Sequence, residues 1–245
     1  MPATPAWPPA STPRLFIDQP LEAGLSLTLD GAHANYLANV MRLKHDDPVR
    51  LFDDRTGEWL ATVSDVAKRT ITLGLLAKLA EREAVPDLWL LFAPIKKGRI
   101  DWLIEKATEL GVARLQPVIT RRTIVDRLNL DRLRAHMIEA AEQCDRTALP
   151  VMNEPVKLES LLREWDAGRA LIFADEAGGA PLTHVARRGP AAILIGPEGG
   201  FTDEERESIG KVAGACPVSL GPRILRADTA AAAAIAVWMA TAGDW

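Results

Sequence analysis

The hydrophobic pattern of the chain changes its period near residue 80, and this change limits the possible folds more than any single motif does. Before it, short apolar runs alternate with turn signals, at 14–17 (RLFI), 49–53 (VRLFD), 58–63 (EWLATV) and 70–76 (TITLGLL). Such runs predict the strands of a small β-barrel or sandwich. One helix is predicted to interrupt them, with Asp30 as its N-cap.

After a charged stretch at 80–87 (AEREAVPD), which we interpret as a linker, predicted strands alternate with predicted helices. The strands are LWLLFA, ARLQPVI, ALIFA, AAILI and PVSL, and the helices are KGRIDWLIEKATELG, a segment near 130–144, a segment from Thr202 and the alanine-rich C-terminus. This alternation predicts an α/β domain with a mostly parallel sheet. We therefore expect a β domain at 14–79, an α/β domain at 80–245 and a disordered leader, rich in proline and alanine, at 1–13.

Composition and residue spacing argue against a membrane-spanning protein, a secreted protein and a metal-binding protein. The longest apolar stretch, 230–240, is mostly alanine and is shorter than the roughly 20 residues that cross a bilayer. The first residues lack the pattern of a secretory signal, so we expect a cytoplasmic protein without a membrane partner. Cys144, Cys216 and the four histidines show no metal-binding spacing, which predicts neither a disulfide nor a metal site. With a net charge of −4, any RNA contact must come from a local basic patch.

A glycine-rich loop, LIGPEGGFTDEE at 194–205, joins a predicted strand to a predicted helix. Ligands commonly bind at the carboxyl end of such a strand, and Thr202 with Glu205 matches a capping box. The loop fits neither phosphate-binding template, since Pro197 lacks an N–H and Glu198 repels anions. The loop therefore favours a ligand without phosphate, such as S-adenosylmethionine; the alternative is a tight turn that only needs glycine's freedom.

A second loop, LGPRILRADTA at 220–230, repeats this layout. Asp228 or Thr229 is predicted to cap the helix that follows, and the alanines after them are predicted to form a packing surface. Together the two loops could form one pocket. Arg223 and Arg226 could hold a phosphate or a base edge there, or could be ordinary surface charges.

These two loops together resemble the closing motifs of the SPOUT methyltransferases, and more narrowly those of the ribosomal RNA small subunit methyltransferase E family. The motifs VMRLK at 40–44, PIKKGRIDWLIEKATELGV at 94–112 and EAAEQCDRTALP at 139–150 extend the resemblance over nearly the whole chain. The resemblance implies a PUA-like β-barrel that assists RNA binding, followed by an α/β SPOUT domain with a trefoil knot. It further implies a homodimer that uses S-adenosylmethionine to methylate N3 of a uridine in 16S rRNA of the small ribosomal subunit.

The resemblance also implies roles for individual residues. Methyl-donor contacts are expected from three loops, at Phe173, Ala174, Glu176, Ile195, Gly196, Pro197, Glu198, Gly199, Gly200, Leu220, Gly221, Ile224, Leu225, Arg226 and Thr229. Candidate catalytic residues are Arg226, Arg223 and Glu198. Candidate RNA contacts, each of which could equally be a solvated charge or a structural cap, are Arg14, Lys96, Lys97, Arg99, Arg121, Arg122, Gln143 and Arg146.

The sequence departs from the family pattern at Asp228, where a glutamate is usual. The shorter side chain puts a ligand contact by this carboxylate in question. Two alternatives also stay open: a SPOUT methyltransferase that modifies another RNA atom, such as a ribose 2′-hydroxyl, and a non-catalytic RNA-binding factor in ribosome assembly.

Overall fold

The computed structural model describes residues 8–9, 11–125 and 127–245. The described residues divide into two compact units. The first holds the residues up to Ala84 together with Glu142–Ala148, and the second holds Val85–Ala141 and Leu149–Trp245. The division at Ala84 falls inside the stretch interpreted as a linker, but the first unit also takes a segment that the sequence boundary left in the second domain.

Most of the predicted leader, 1–13, lies outside the described residues. Its last two residues correct the prediction of disorder, because Thr12 and Pro13 are buried. The carbonyl of Pro13 accepts a hydrogen bond of 2.8 Å from the backbone N–H of Arg50. The packed part of the first unit therefore begins before Arg14.

The first unit is built on a five-stranded sheet. Its strands are β1 Arg14–Phe16, β2 Ser26–Leu29, β3 Pro48–Asp53, β4 Gly57–Val66 and β5 Ile71–Ala80. Their order is β1-β3-β4-β5-β2, in which only the β1–β3 pair is parallel. Helix α1, Gly31–Asn35, runs directly into a π-helical turn at Tyr36–Val40. The predicted strands all form, β2 is additional, and Asp30 is the N-cap but makes no side-chain capping bond.

Alternating side chains of these strands form a single apolar core. Leu51, Ile71 and Leu73 are completely buried in it, and Leu37 from the π-helical turn is also completely buried. Each such side chain stabilises the unit by about 1.5–3 kcal/mol relative to its exposed state.

A buried arginine lies beside this core and corrects one of the predicted RNA contacts. Arg14 is 7% exposed; its Nε donates to Glu58 Oε2 at 2.8 Å and its guanidinium lies 3.7 Å from the centroid of the Phe52 ring. Arg14 also donates to the carbonyl of Arg146 at 2.9 Å, and Arg146 is itself 4% exposed. Burial lowers the pKa of the Arg146 guanidinium. Both side chains are therefore internal groups of the first unit and are not available for RNA.

The second unit contains one large sheet and six helices among the described residues. The strands are β6 Leu88–Phe92, β7 Arg114–Ile119, β8 Val151–Met152, β9 Val156–Lys157, β10 Ala170–Ala174, β11 Ala180–Pro181, β12 Ala191–Ile195 and β13 Ala215–Ser219. The helices are α2 Arg99–Glu109, α3 Leu130–Gln143, whose last two residues group with the first unit, α4 Leu158–Arg163, α5 Leu182–Val185, α6 Asp203–Gly210 and α7 Ala227–Ala242.

Every strand pair in this sheet is parallel, as predicted. The order along the main path is β11-β13-β10-β12-β6-β7-β8, and β9 pairs with β7. All five residues of β12 are buried, since a parallel sheet is normally covered on both faces. Because β13, β10 and β12 are neighbours, their carboxyl ends lie together at one edge of the sheet.

Several of the excluded features can be checked over the described part of the chain. No helix there is long and apolar enough to span a bilayer. No group of three or more His, Cys, Asp and Glu residues is placed there to hold a metal ion. Cys144 and Cys216 form no disulfide bond.

The buried ion pair of the first unit generates a prediction on stability. Replacing Glu58 by Ala removes the buried carboxylate that binds both Arg14 and Arg50, and we expect this change to lower the free energy of unfolding by about 3 kcal/mol. Glu81→Ala is the matched control, since Glu81 makes a bond of similar length, 2.9 Å, to Lys78 but is 82% exposed; its cost should stay below about 1 kcal/mol. Urea denaturation measures both values. Equal costs for the two variants would contradict the role assigned to Glu58.

Candidate active site

The loops that follow β10, β12 and β13 line one cavity. The predicted donor-binding residues that line it are Ala174, Glu176, Ile195, Gly196, Pro197, Glu198, Gly200, Leu220, Gly221, Ile224 and Leu225. Asp175 and Pro222, which lie within two of the predicted loops, also line the cavity. Sequence reasoning missed other lining residues, namely Gly178, Phe201, Arg206, Val218, Ser219, Ala227 and Ala230. The three loops that the resemblance selected therefore meet at one site.

Four predicted donor-binding residues do not line the cavity. Phe173 is 3% exposed and packs in the core of the second unit. Gly199 uses its carbonyl to accept a hydrogen bond from Arg122. Arg226 and Thr229 lie at the start of α7 with exposed side chains. Of the three candidate catalytic residues, Glu198 and Arg223 thus line the cavity, whereas Arg226 lies next to it in sequence.

The glycine loop is held at its end by a capping box, as predicted. The Thr202 hydroxyl accepts a hydrogen bond of 3.2 Å from the Glu205 N–H, and Glu205 Oε2 accepts one of 2.9 Å from the Thr202 N–H. Glu205 is buried, and its second oxygen accepts a bond of 2.8 Å from the N–H of Arg121. One carboxylate therefore fixes both the start of α6 and the loop after β7.

Two glycines of this loop cannot carry a side chain without displacing a neighbour. A Cβ at Gly196 would lie 3.0 Å from the ring of Phe201, which is 2% exposed. Gly200 has φ of +67°, and a Cβ there would lie 2.5 Å from Glu176 Oε1. The glycines therefore allow the backbone to approach both Phe201 and the loop after β10.

Arg206 on α6 joins two of the three loops. Its Nε lies 3.0 Å from Asp175 Oδ1, and its Nη2 lies 2.9 Å from Glu176 Oε1. The Arg206 and Asp175 side chains are only 23% and 10% exposed. The signal that could have revealed this contact is weak, because an arginine inside a helix and acids after a strand are both common on surfaces.

The charge of the cavity lining is close to balanced. The lining contains three carboxylates, Asp175, Glu176 and Glu198, and two guanidinium groups, Arg206 and Arg223. Arg206 is already paired with Asp175 and Glu176. Glu198 is exposed, and its carboxylate makes no hydrogen bond or ion pair with any described residue. The cavity thus offers backbone groups and carboxylates, and its half-buried cation, Arg206, is already paired.

Three of the predicted RNA-binding arginines contact residues around the site. Arg122 donates to the carbonyls of Gly199 and Phe201, so it supports the glycine loop. Arg121 forms an exposed ion pair of 3.5 Å with Glu204. Arg99 is the third and contacts the start of α7.

The start of α7 corrects the predicted cap. The N-cap residue is Arg226, without a side-chain capping bond, and Asp228 lies inside the first turn. Asp228 is buried; its oxygens lie 3.2 and 2.9 Å from Nη1 of Arg99, and its Oδ1 accepts a bond from the Thr229 N–H. Asp228 therefore stabilises the helix start from within and ties it to the start of α2.

Other predicted RNA contacts stay exposed. These are Lys96 and Lys97 before α2, Gln143 at the end of α3, and the two arginines Arg223 and Arg226. Their side chains make no hydrogen bond or ion pair within the described part of the chain. They remain candidates for contact with an external partner.

Comparison with known proteins assigns the class. Residues 81–239 match the family model of the RNA methyltransferase domain, and residues 29–76 match that of the RNA methyltransferase PUA domain. The second unit and its cavity thus belong to an RNA methyltransferase, and the first unit contains the PUA domain.

Relatives narrow the class to one family. Ribosomal RNA small subunit methyltransferase E of Rickettsia conorii is 31% identical over 91% of this chain and 93% of its own length. The protein of the same name from Synechocystis sp. is 34% identical over 89% of this chain and 74% of its own length. The chain belongs to the ribosomal RNA small subunit methyltransferase E family.

Two solved structures have the same fold. The methyltransferase E of Neisseria gonorrhoeae, bound to S-adenosyl methionine, superposes with a TM-score of 0.88 at 27% identity, covering 96% of this chain and 99% of that one. A Legionella pneumophila protein in complex with the same cofactor gives 0.86 at 30% identity, covering 96% and 100% of the two chains.

The pair of Arg99 and Asp228 generates a prediction that a double-mutant cycle can test. Ala replacements, made singly and together, should give a coupling free energy of about 1 kcal/mol in unfolding experiments, because Asp228 is buried and bound through both oxygens. The control cycle uses Lys211 and Glu207, a pair of 2.6 Å whose side chains are 71% and 69% exposed, and should give less than about 0.5 kcal/mol. Equal coupling in the two cycles would show that Asp228 acts only on its own helix.

Proposed function

We propose that this protein transfers a methyl group from S-adenosylmethionine to N3 of a specific uridine in 16S rRNA of the small ribosomal subunit. The observation that carries the proposal is the cavity at the carboxyl ends of β10, β12 and β13. It is formed by glycine-rich loops in a chain that also contains an RNA methyltransferase PUA domain. The resemblance to the methyltransferase E family supports N3 of uridine as the target atom.

The residues of the cavity fit S-adenosylmethionine. The glycine loop keeps the space that a Cβ at Gly196 or Gly200 would fill. Asp175 and Glu176 neutralise Arg206, so the cavity suits an adenosine that carries a sulfonium cation better than one that carries phosphates. We propose that the backbone at 195–200 and 220–225 binds the donor and that the Phe201 ring packs against the glycine loop at Gly196.

The reaction forms an N3–CH₃ bond on the base and releases the N3 proton. When bound, S-adenosylmethionine supplies an electrophilic methyl group whose sulfur leaves as a neutral thioether. The protein must hold the base in line and stabilise the negative charge that develops on the uracil. We propose Arg226 and Arg223 for this role, because Arg223 lines the cavity, Arg226 lies next to that lining in sequence, and both are exposed without an ion-pair partner among the described residues.

Glu198 is the proposed proton acceptor. It is the lining carboxylate that is not engaged by Arg206, and its exposure leaves it free to reach a substrate. Lys96, Lys97 and Gln143 are proposed to contact the RNA. A cytoplasmic homodimer with a knotted α/β domain at 80–245 and an RNA-binding β-barrel at 14–79 completes the proposal, and the resemblance to SPOUT enzymes supports these points.

Methyl transfer to small ribosomal subunits from cells that lack this protein tests the proposed function. The expected product, identified by mass spectrometry of the digested rRNA, is N3-methyluridine. Another methylated nucleoside would overturn the acceptor and favour a SPOUT enzyme of different target. Donor binding without any transfer to subunits or free rRNA would favour the non-catalytic assembly factor.

Gly200 provides a test of the donor site. In Gly200→Ala, the new Cβ displaces Glu176 from Arg206, and the alanine must adopt a positive φ that is unfavourable for it. We therefore expect donor affinity to fall by about tenfold. Gly210→Ala is the matched control, since a Cβ there meets nothing within 4 Å, and its affinity should match that of the wild type. Calorimetry with S-adenosylmethionine measures both. Unchanged affinity in Gly200→Ala would remove the glycine loop from the donor site.

Arg226→Ala tests the role at the base. If Arg226 stabilises developing charge, kcat should fall by about 100-fold while the donor Kd changes little. Arg188→Ala is the control, because Arg188 is equally exposed but precedes β12 and thus lies toward the opposite edge of the sheet. Parallel loss of donor binding and kcat in Arg226→Ala would contradict a role at the RNA substrate.

A further inference from the structure

The π-helical turn in the first unit has an unusual backbone. The Met41 N–H donates to the Tyr36 carbonyl at 2.9 Å, a bond five residues long, and the Leu43 N–H donates to the Leu37 carbonyl at 3.0 Å. Arg42, directly after the turn, has φ of +58°. Left-handed conformations are disfavoured for a residue such as arginine, and π-helical turns occur often at functional sites. The chain therefore keeps an arginine at a position that suits glycine.

This turn separates buried from exposed apolar side chains. Leu37 is completely buried, and Leu43 packs against the same core. In a regular α-helix, residues three and four positions after Leu37 would share its buried face. Here Val40 is 62% exposed and Met41 is 38% exposed, and Tyr36 is 37% exposed. The wider turn therefore presents apolar groups to the outside while its two leucines anchor it.

Cationic side chains border this apolar patch. Arg42 and Lys44 are exposed, and their side chains make no ion pair within the part of the chain that the structure describes. Two acids lie nearby: the Asp47 carboxylate accepts a bond of 2.7 Å from the Lys44 N–H, and the exposed Asp46 carboxylate lies 3.1 Å from Nδ1 of His45. The exposed set Tyr36, Val40, Met41, Arg42 and Lys44 is called the turn surface below.

We infer that the turn surface binds an unpaired segment of the RNA, with Tyr36 stacking on a base and Arg42 contacting a phosphate. An exposed aromatic ring beside free cations is the combination that binds single-stranded RNA. The matched PUA domain, residues 29–76, contains the whole surface, whereas Arg14, the sequence-based candidate for RNA contact at the start of this unit, is buried. The inference rests on the proposed function, since it concerns the same RNA.

Arg42→Gly separates binding from folding. Glycine accepts a positive φ, so the variant should unfold at the wild-type temperature or above. Loss of one phosphate contact should nevertheless weaken rRNA binding and reduce the slope of log K against log salt by about one. Arg55→Ala is the control, because it removes an exposed guanidinium from the turn between β3 and β4. The turn surface lies away from this turn: residues 46 and 47, which follow it in sequence, bond to Val63 at the other end of the two strands. The affinity and salt slope of Arg55→Ala should match those of the wild type.

Tyr36→Ser tests the stacking contact. It should lower rRNA affinity by about tenfold without changing the salt slope, and Tyr36→Phe should restore the affinity. Binding is measured by filter retention of a 16S rRNA fragment, beside methyl transfer at saturating RNA. The inference is overturned if both Arg42→Gly and Tyr36→Ser bind rRNA as the wild type does. It is also overturned if these two variants change only self-association, measured by sedimentation. If the wild type binds rRNA but transfers no methyl group, the proposed function fails. The rRNA affinities of the variants then still test whether the turn surface binds RNA.

Discussion

The ion pairs of Arg206 with Asp175 and Glu176 are the interaction on which the site depends. Arg206 belongs to α6, whose start is the end of the glycine loop, and the two carboxylates belong to the loop after β10. Since β10 also pairs with β13 through Ala174 and Val218, the third loop begins beside the other two. Removal of Arg206 would leave Asp175, which is 10% exposed, without its cation. The strands place the three loops at one edge of the sheet, and this arginine joins two of them.

The same interaction determines which ligand the cavity can accept. A free guanidinium inside a glycine-rich pocket would attract a phosphate. Arg206 is instead neutralised by Asp175 and Glu176. Nη1 of Arg122 donates to the carbonyls of Gly199 and Phe201. Two cations remain without an ion pair among the described residues: Arg223, an exposed residue of the cavity lining, and Arg226, which follows that lining in sequence. The buried part thus suits the donor, and the exposed cations suit the RNA.

Local patterns in the sequence predicted local structure well. ALIFA and AAILI coincide with β10 and β12, and the capping box of Thr202 and Glu205 forms, because neighbouring residues decide these features. The two-residue strands β8, β9 and β11 were missed, since two residues carry no period. The π-helical turn was also missed, because its residues read as an ordinary amphipathic helix.

Roles of single arginines could not be predicted, because their partners are distant in sequence. Arg99 binds Asp228 across 129 positions, and Arg14 binds the carbonyl of Arg146 across 132. Each looked like a surface cation in the sequence, and only the fold shows that it is engaged. The pocket-forming loops were identified by resemblance, whereas the charge balance within the pocket required the structure.

Calorimetric titration of the wild-type protein with S-adenosylmethionine, and separately with ADP, tests the central claim most directly. Both ligands carry adenosine, but one adds a sulfonium cation and the other adds phosphates. The account predicts saturable binding of S-adenosylmethionine and much weaker binding of ADP, because Arg206, the half-buried guanidinium of the cavity lining, is already neutralised by Asp175 and Glu176. Binding of ADP as tight as that of S-adenosylmethionine would contradict it.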